Sequence, residues 1–470
     1  MQVDGSAIAR YFASQNEFGS GVKGVTQILG WLFKLHKEKH PGAVQFWIDV
    51  SNGYNEMSRS AIAEGLGDMP PKLHWLRKAF NSFYSGDVLL YFQREKDVYH
   101  LVSQVGTVQG DGNSNIYFNA GLQRAFNKLR AEYPEIMLVK YIDDVMGGIP
   151  SALDTNGQLL TCDVSEERAY AGFGVYPVVP NVDPTLPPSN PTHVPIVLAA
   201  TKRWQFLVAN MCGLRARKKQ GVAGAYISQT DFGNPLERGM PVFQGLEIAG
   251  SPIGSAAYVT QKLDTIVQEK VAKSFSAISS MDSSQERHLL GSQCCGNACV
   301  QHLWQVLNPS DTLSARTHTD FLTLRHVRKT MGISDALPSA CVQQIFLPQR
   351  YGGLGYRRAN DIVHGAFIGG FALAAYGPHS ITLVCPELSE DVFRPEESDL
   401  PSMIQLCEAW KTEVQLTNRA YVLTKAVAAK VVAPPSHPDD ENELGPSISA
   451  SRILDKQENE YELRWKCETA

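Results

Sequence analysis

The sequence predicts an α+β protein: an antiparallel sheet with packed helices, followed by a mostly helical part. Three observations carry this. Short apolar, β-prone runs alternate with amphipathic stretches up to about residue 150. Helical periodicity dominates from 256 to about 430. Composition is that of an ordinary folded chain, 43% hydrophobic and 19% charged, and 470 residues suffice for two or three domains.

The elements follow in order. Residues 22–38 read as an amphipathic helix with Val25, Ile28, Leu29, Leu32 and Phe33 on one face. "AVQFWIDV" (43–50) is a buried-strand pattern that reaches Asp49 and then a polar turn at Ser51, Asn52 and Gly53. "SRSAIAEGL" resumes helical character. Residues 87–93 and 98–105 read as a hairpin, and Gly106 to Asn115 as a Gly-rich polar loop. A helix then carries Phe118, Leu122, Phe126 and Leu129 on one face, and "IMLVKYIDDVMGGI" reads as strand, tight turn, strand. Residues 147–200 hold eight prolines and little periodicity, which predicts a long loop or insertion. Helical spacing returns with Tyr258, Leu263, Ile266, Val267, Val271 and Phe275. From 433 the polar, Pro-rich "APPSHPDDENELGPSISAS" reads as a flexible tail. The expected division is therefore 1–255, 256–432 and 433–470.

Charge excludes little. The net value of −5 and a pI near 6.2 do not mark a nucleic-acid binder. The distribution is uneven, though: residues 201–240 hold seven Lys/Arg against two acids, and 321–360 hold six against one. Nine irregularly spaced cysteines do not form a secreted disulfide framework, so a reducing compartment is expected. No apolar run reaches the roughly 18 residues of a membrane span, and the N-terminus has no signal-peptide pattern.

Asp143 and Asp144 stand out, two adjacent acids in an apolar run. Taken alone they fit a hairpin turn, which Asp tolerates. Neighbouring carboxylates repel and burial adds to the cost, whereas a hard divalent cation reverses the balance. Asp49, also at the end of an apolar strand, is the candidate third ligand. Other features have plain readings. Tyr54 alone fits a core aromatic. The basic cluster 215–219 fits a solvated face. Cys295, Cys299 and His302 in "CCGNACVQH" have helical spacing but no second ligand pair, which favours a buried helix over a metal site.

The order of motifs adds to this. "FWIDVSNGYNEMSR" (46–59), "VGTVQGDGNSNIYF" (105–118) and "KYIDDVMGG" (140–148) resemble the A, B and C motifs of reverse transcriptases of the non-LTR retrotransposon (LINE-like) family. "QNEFGSGVKG" (15–24), "GLEIAGSPIGSAAYV" (245–259) and "LPQRYGGLGYRRA" (347–359) extend the resemblance over roughly residues 15–375. It implies a right-hand palm with partial fingers over 1–255, carrying the insertion at 147–200, and a helical thumb over 256–432. It also implies that Asp49, Asp143 and Asp144 hold Mg²⁺ (or Mn²⁺) and that Tyr54 is the steric gate against a 2′-hydroxyl. Gln109 and Gly110 would let backbone approach nucleotide and template. Arg59 would support from the helix after motif A. Lys218 or Lys219 would be the motif D lysine, with Lys219 preferred. The implied partners are an RNA template, a DNA primer and dNTPs, with no membrane, in the cell and there in the nucleus.

The chain departs from the pattern in places. Gly-Asn-Ser-Asn follows Gln109-Gly110-Asp111 where the family has prolines, so the loop is less restrained. Only 48 residues precede Asp49, so complete fingers are not expected, and no endonuclease or RNase H resemblance is present. Two further readings follow: an inactive or truncated remnant that keeps nucleic-acid binding, and an RNA-copying RNA polymerase. Tyr54 at the gate position speaks against the second.

Overall fold

The computed structural model describes residues 5–19, 24–51, 53–94, 96–108, 111–151, 161–163, 193–224, 242–349, 352–376 and 380–416. Strands and helices both occur throughout the first part and helices dominate the second, an α+β chain. The expected tail at 433–470 lies outside the described residues.

Two compact units form, one from Met1–Lys23 and His40–Leu246, the other from Gly24–Lys39 and Glu247–Ala470. The first is organised by a five-stranded sheet. Its strands are β1 (Val44–Ser51), β4 (Met137–Tyr141), β5 (Asp144–Ile149), β8 (Arg215–Gly224) and β9 (Val242–Phe243), in the order β4-β5-β1-β8-β9. A hairpin of β2 (Val88–Arg94) and β3 (Asp97–Ser103) stands apart, as does a short pair, β6 (Thr161–Asp163) with β7 (His193–Pro195). β1 lies between β5 and β8 and runs antiparallel to both. Val44, Phe46, Ile48 and Val50 on its inner face are fully buried.

Helix Ser114–Glu132 lies in the same core, and its Tyr117, Phe118, Leu122, Phe126 and Leu129 are buried at helical spacing. Helices Arg59–Gly67 and Ile196–Cys212 pack beside it. The last of these begins inside the stretch read as a loop. Ile196, Val197, Ala200, Trp204, Leu207 and Val208 are buried at intervals of one, three and four, a helical stripe that the prolines upstream obscured. The Arg203 guanidinium clamps Glu132 through two bonds of 2.7 and 2.8 Å, and the Trp204 ring meets Phe126 edge-on at 6.4 Å. The basic run 215–219 opens a strand paired to β1, and its side chains lie outside the described residues.

In the second unit, helix Val25–Lys39 is fixed by polar contacts that reach far along the chain. Trp31 Nε1 donates to the Gln305 carbonyl at 2.8 Å, and the Trp31 ring meets Phe367 and Phe371 at 4.8 and 5.1 Å. Lys34 lies over that ring and donates to the Val306 carbonyl and to Asn308. Glu38 accepts from the Ser402 amide and hydroxyl at the start of helix Pro401–Leu416, where unpaired N–H groups favour an acid. Asp320 does the same for helix Ala359–Tyr376, accepting from Ala359 N at 2.7 Å. The turn before that helix contains Gly353, where an added Cβ would lie 2.0 Å from the Leu347 carbonyl oxygen. Among the described residues no helix is long and apolar enough to cross a membrane.

Trp204 gives a test of the first unit's core. Trp204→Ala is expected to cost about 3–5 kcal/mol in urea unfolding. The indole N–H finds no acceptor among the described residues. Trp204→Phe, which removes that donor and keeps an aromatic ring, is therefore expected to cost less than half as much.

Candidate active site

Side chains alternate along a strand, so Gln45, Trp47 and Asp49 leave β1 on the face opposite its apolar set. The antiparallel register puts Asp144 opposite Asp49 and Met146 opposite Trp47, and therefore gives Asp144 the same face as Asp49. β4 returns next to β5 with Tyr141 opposite Asp144. Asp143 occupies the two-residue turn between them. Asp49, Asp143 and Asp144 can each offer a carboxylate oxygen such that the three atoms lie within 4.8 Å of one another. Asp49 is buried and the other two are half-buried. Trp47 Nε1 reaches diagonally across the strands to donate to Asp144 Oδ1 at 2.7 Å, which orients that carboxylate.

On its other side β1 pairs with β8, and the register breaks at Asp49. Ile48 faces Gln220 while Val50 faces Ala216, so one residue of β1 stands against three of β8. Such a bulge bends a strand and often lies beside a functional site. Lys219 and Lys218 fall in this bulge. Their side chains lie outside the described residues.

The turn itself is strained. Ile142 has φ +58°, and a positive φ at the first of two central residues is the type II′ pattern, where glycine is usual. A β-branched residue there costs on the order of 1–3 kcal/mol. The segment Asn16–Gly19 holds the strand that leads into it. Phe18 N donates to the Lys140 carbonyl at 2.9 Å, Lys140 N to the Asn16 carbonyl at 2.9 Å, and Asn16 Nδ2 to the Leu138 carbonyl at 3.0 Å. Gly19 then crosses the turn itself. A Cβ on Gly19 would lie 2.6 Å from Ile142 Cγ1 and 2.8 Å from its backbone nitrogen, so only glycine fits.

Lys140 lies on the core face of β4 and is fully buried with Glu17. Its Nζ stands 3.8 Å from Glu17 Oε1 and donates to Asn119 Oδ1 at 2.9 Å. Burial pushes its pKa down to about 8, against the pull of Glu17. Tyr54, on the short helix Gly53–Glu56, stacks on Phe118 with centroids 4.7 Å apart. Its phenol is pushed up to about 12, first by burial and then by the charge of Asp143. Burial, then Asp144 and Asp143, raise Tyr141 as well. Ionisation of both phenols is thus opposed by burial and by Asp143.

The structure brings together Asp49, Asp143 and Asp144, with Tyr54 close enough to feel Asp143. Gln109 and Gly110 lie outside the described residues. Arg59 turns to the β2–β3 hairpin instead of the acids: it donates to the carbonyls of Gly86 (2.6 Å), Ser103 (2.8 Å) and Gly106 (3.2 Å), holding the hairpin's base. Among the described residues Cys295, Cys299 and His302 do not converge as metal ligands. The sequence alone does not single out Trp47, Glu17, Lys140 or Asn119. Trp47 had a signal, two residues before Asp49 on the same strand face. Lys140 had one too, a lone cation in an apolar run.

No model of a known protein family matches the chain, and a search of curated proteins also finds no match. Among solved structures, a telomerase from Candida albicans in complex with a fragment of telomeric RNA aligns at 10% identity and a TM-score of 0.32. The alignment covers 83% of this chain and 57% of the telomerase. A likeness that loose carries no weight for fold or function.

Lys140→Met is expected to cost about 3–5 kcal/mol, because Glu17 is left buried without its cation, and Glu17→Gln in the same chain should restore most of it. The folded chain holds the Lys140 proton at about 8 and an ordinary lysine holds it at 10.5, so the unfolded state binds more protons between these values. This group therefore makes stability rise with pH across that window. Urea midpoints at about pH 8 and about pH 10 should show this rise in the parent chain and a smaller one in Lys140→Met.

Proposed function

We propose that the chain is an RNA-directed DNA polymerase domain, a reverse transcriptase of retroelement type that adds dNTPs to a primer 3′-hydroxyl. In this reading the first unit is the palm and the second the thumb. Asp49, Asp143 and Asp144 hold Mg²⁺ or Mn²⁺, Tyr54 is the sugar gate, and Gln109, Gly110 and Lys219 are taken as substrate-binding residues. The single observation that supports it is the convergence of three carboxylates, from β1, from β5 and from the turn that leads into β5.

The donor set fits a divalent cation. Three carboxylates this close repel one another, and hard oxygen ligands suit Mg²⁺ better than softer metals. Bound there, the cations would lower the barrier to deprotonating the primer hydroxyl and neutralise charge on the leaving pyrophosphate. The chain's own residues supply position. Asp49 is paired to Asp144 on one side and lies between two residues, Ile48 and Val50, that pair with β8 on the other, and Asp144 is set by register and by the Trp47 N–H. Such pre-set geometry is what an in-line phosphoryl transfer chiefly needs. The Tyr54 ring, stacked on Phe118, offers a flat apolar wall for a deoxyribose, and a 2′-hydroxyl has no room against such a wall.

Primer extension on an RNA template with Mg²⁺ or Mn²⁺ tests this. The parent chain should incorporate dNTPs, lose activity to a chelator and regain it with either ion. Asp143→Ala and Asp49→Asn should each lose at least about 10²-fold. Unchanged extension in either variant would sink the assignment, and preferential use of rNTPs would point to an RNA polymerase.

A further inference from the structure

Helix Ser114–Glu132 sends two asparagines, one turn apart, toward the Tyr54 hydroxyl. Tyr54 donates to Asn115 Oδ1 at 3.2 Å. The same oxygen accepts from Asn119 Nδ2 at 2.8 Å, and Asn115 Nδ2 donates to the Gly19 carbonyl at 2.6 Å. Asn119 Oδ1 in turn accepts from the buried Lys140 ammonium at 2.9 Å.

The orientation of every group in this chain is forced. An ammonium only donates, so Asn119 must turn its oxygen to Lys140 and its amide nitrogen to Asn115. A backbone carbonyl only accepts, so Asn115 must turn its nitrogen to Gly19 and its oxygen to Tyr54. The phenol is then left as donor. One buried charge thus fixes two amides and a hydroxyl, and the same Gly19 abuts the turn that carries Asp143.

We propose that Asn115 is a specificity-determining positioning residue, holding the Tyr54 ring by its hydroxyl so that the chain distinguishes deoxyribonucleotides from ribonucleotides. The inference rests on the polymerase reading and deepens it. Stacking on Phe118 limits tilt of the Tyr54 ring about its face, but a ring can still slide and swing in its plane. The tether through Asn115 removes that motion. The difference between the two substrates is a single oxygen, so a gate that swings admits both.

The experiment is single-nucleotide addition of dATP or ATP opposite uridine in an RNA template, with equilibrium binding of both nucleotides in Mn²⁺ measured alongside. Tyr54→Phe keeps the ring and removes only the hydroxyl, and Asn115→Ala removes the tether. Each should lower the ratio of kcat/KM for dATP over ATP by about three- to tenfold, the worth of one neutral hydrogen bond. The double variant should fall no further, because both changes break the same bond. A residue needed only for folding would lower use of both nucleotides alike and leave the ratio intact. Extension by the parent with an unchanged ratio in Tyr54→Phe overturns the inference and leaves the polymerase reading standing. Absence of both extension and nucleotide binding overturns the two together.

Discussion

Asp49 stands opposite Asp144 on two neighbouring strands, and much of the first unit answers to that pairing. Like charges directly across a sheet repel, and Asp49 is buried as well. A chain that needed only a stable sheet would put apolar residues at both positions. Here several surrounding features accommodate the pair. Trp47 donates to Asp144, the bulge in β8 removes regular pairing at Asp49, and Lys140 puts a positive charge on the far face of the hairpin. In the proposed reading the mutual repulsion of three close carboxylates is what a bound cation would relieve.

Strain and burial are concentrated at the same place. Ile142 has a backbone conformation that suits glycine, Gly19 is pressed against it, and beneath both lies a fully buried ion pair. A buried pair is weak support for stability, because desolvation offsets most of its attraction. Its value here is directional. Lys140 can only donate, so it dictates which way Asn119 and Asn115 turn, and an apolar replacement of equal volume would dictate nothing. Strain in the turn and order beneath it are two parts of one arrangement, in which a stiff surround holds a short segment away from its relaxed shape.

Legibility from the sequence followed the range of the interaction. The hairpin of β2 and β3 and helix Ser114–Glu132 are readable because each rests on local spacing, period two or period 3.6, whereas the three acids stand out by their place at the ends of apolar runs and by the motif resemblance around them. Helix Ile196–Cys212 has equally clear spacing, yet it follows seven prolines within residues 151–195, and its first turn, up to residue 200, falls in the stretch that reads as a loop. The run 215–219 shows its charges locally, while the strand pairing it opens, to β1, reaches across more than 160 residues of sequence. Glu17 with Lys140, and Glu38 with Ser402, are pairs of the same kind: no property of either residue alone names its partner. Lys140 was the one that could have been questioned, since an isolated cation in an apolar strand must find an acid somewhere.

The register of β1 shows why these long-range polar contacts matter. A half-buried strand fixes its own register, because a slip of one residue turns its apolar face outward. β1 has little of that protection: Val44, Phe46, Ile48 and Val50 are buried, but so are Gln45 and Asp49, and Trp47 is half-covered. A slipped strand would still bury apolar surface, yet it would move Asp49 to the core face and leave Asp144 without its counterpart. Register has to be set elsewhere. The two-residue turn at Ile142–Asp143 fixes β5 against β4, the Asn16–Phe18 bonds and the Glu17–Lys140 pair fix β4 in the core, and the Trp47 bond to Asp144 then admits only one alignment of β1 on β5. Hydrophobic pattern builds this sheet, and a few polar contacts decide which residues of it meet.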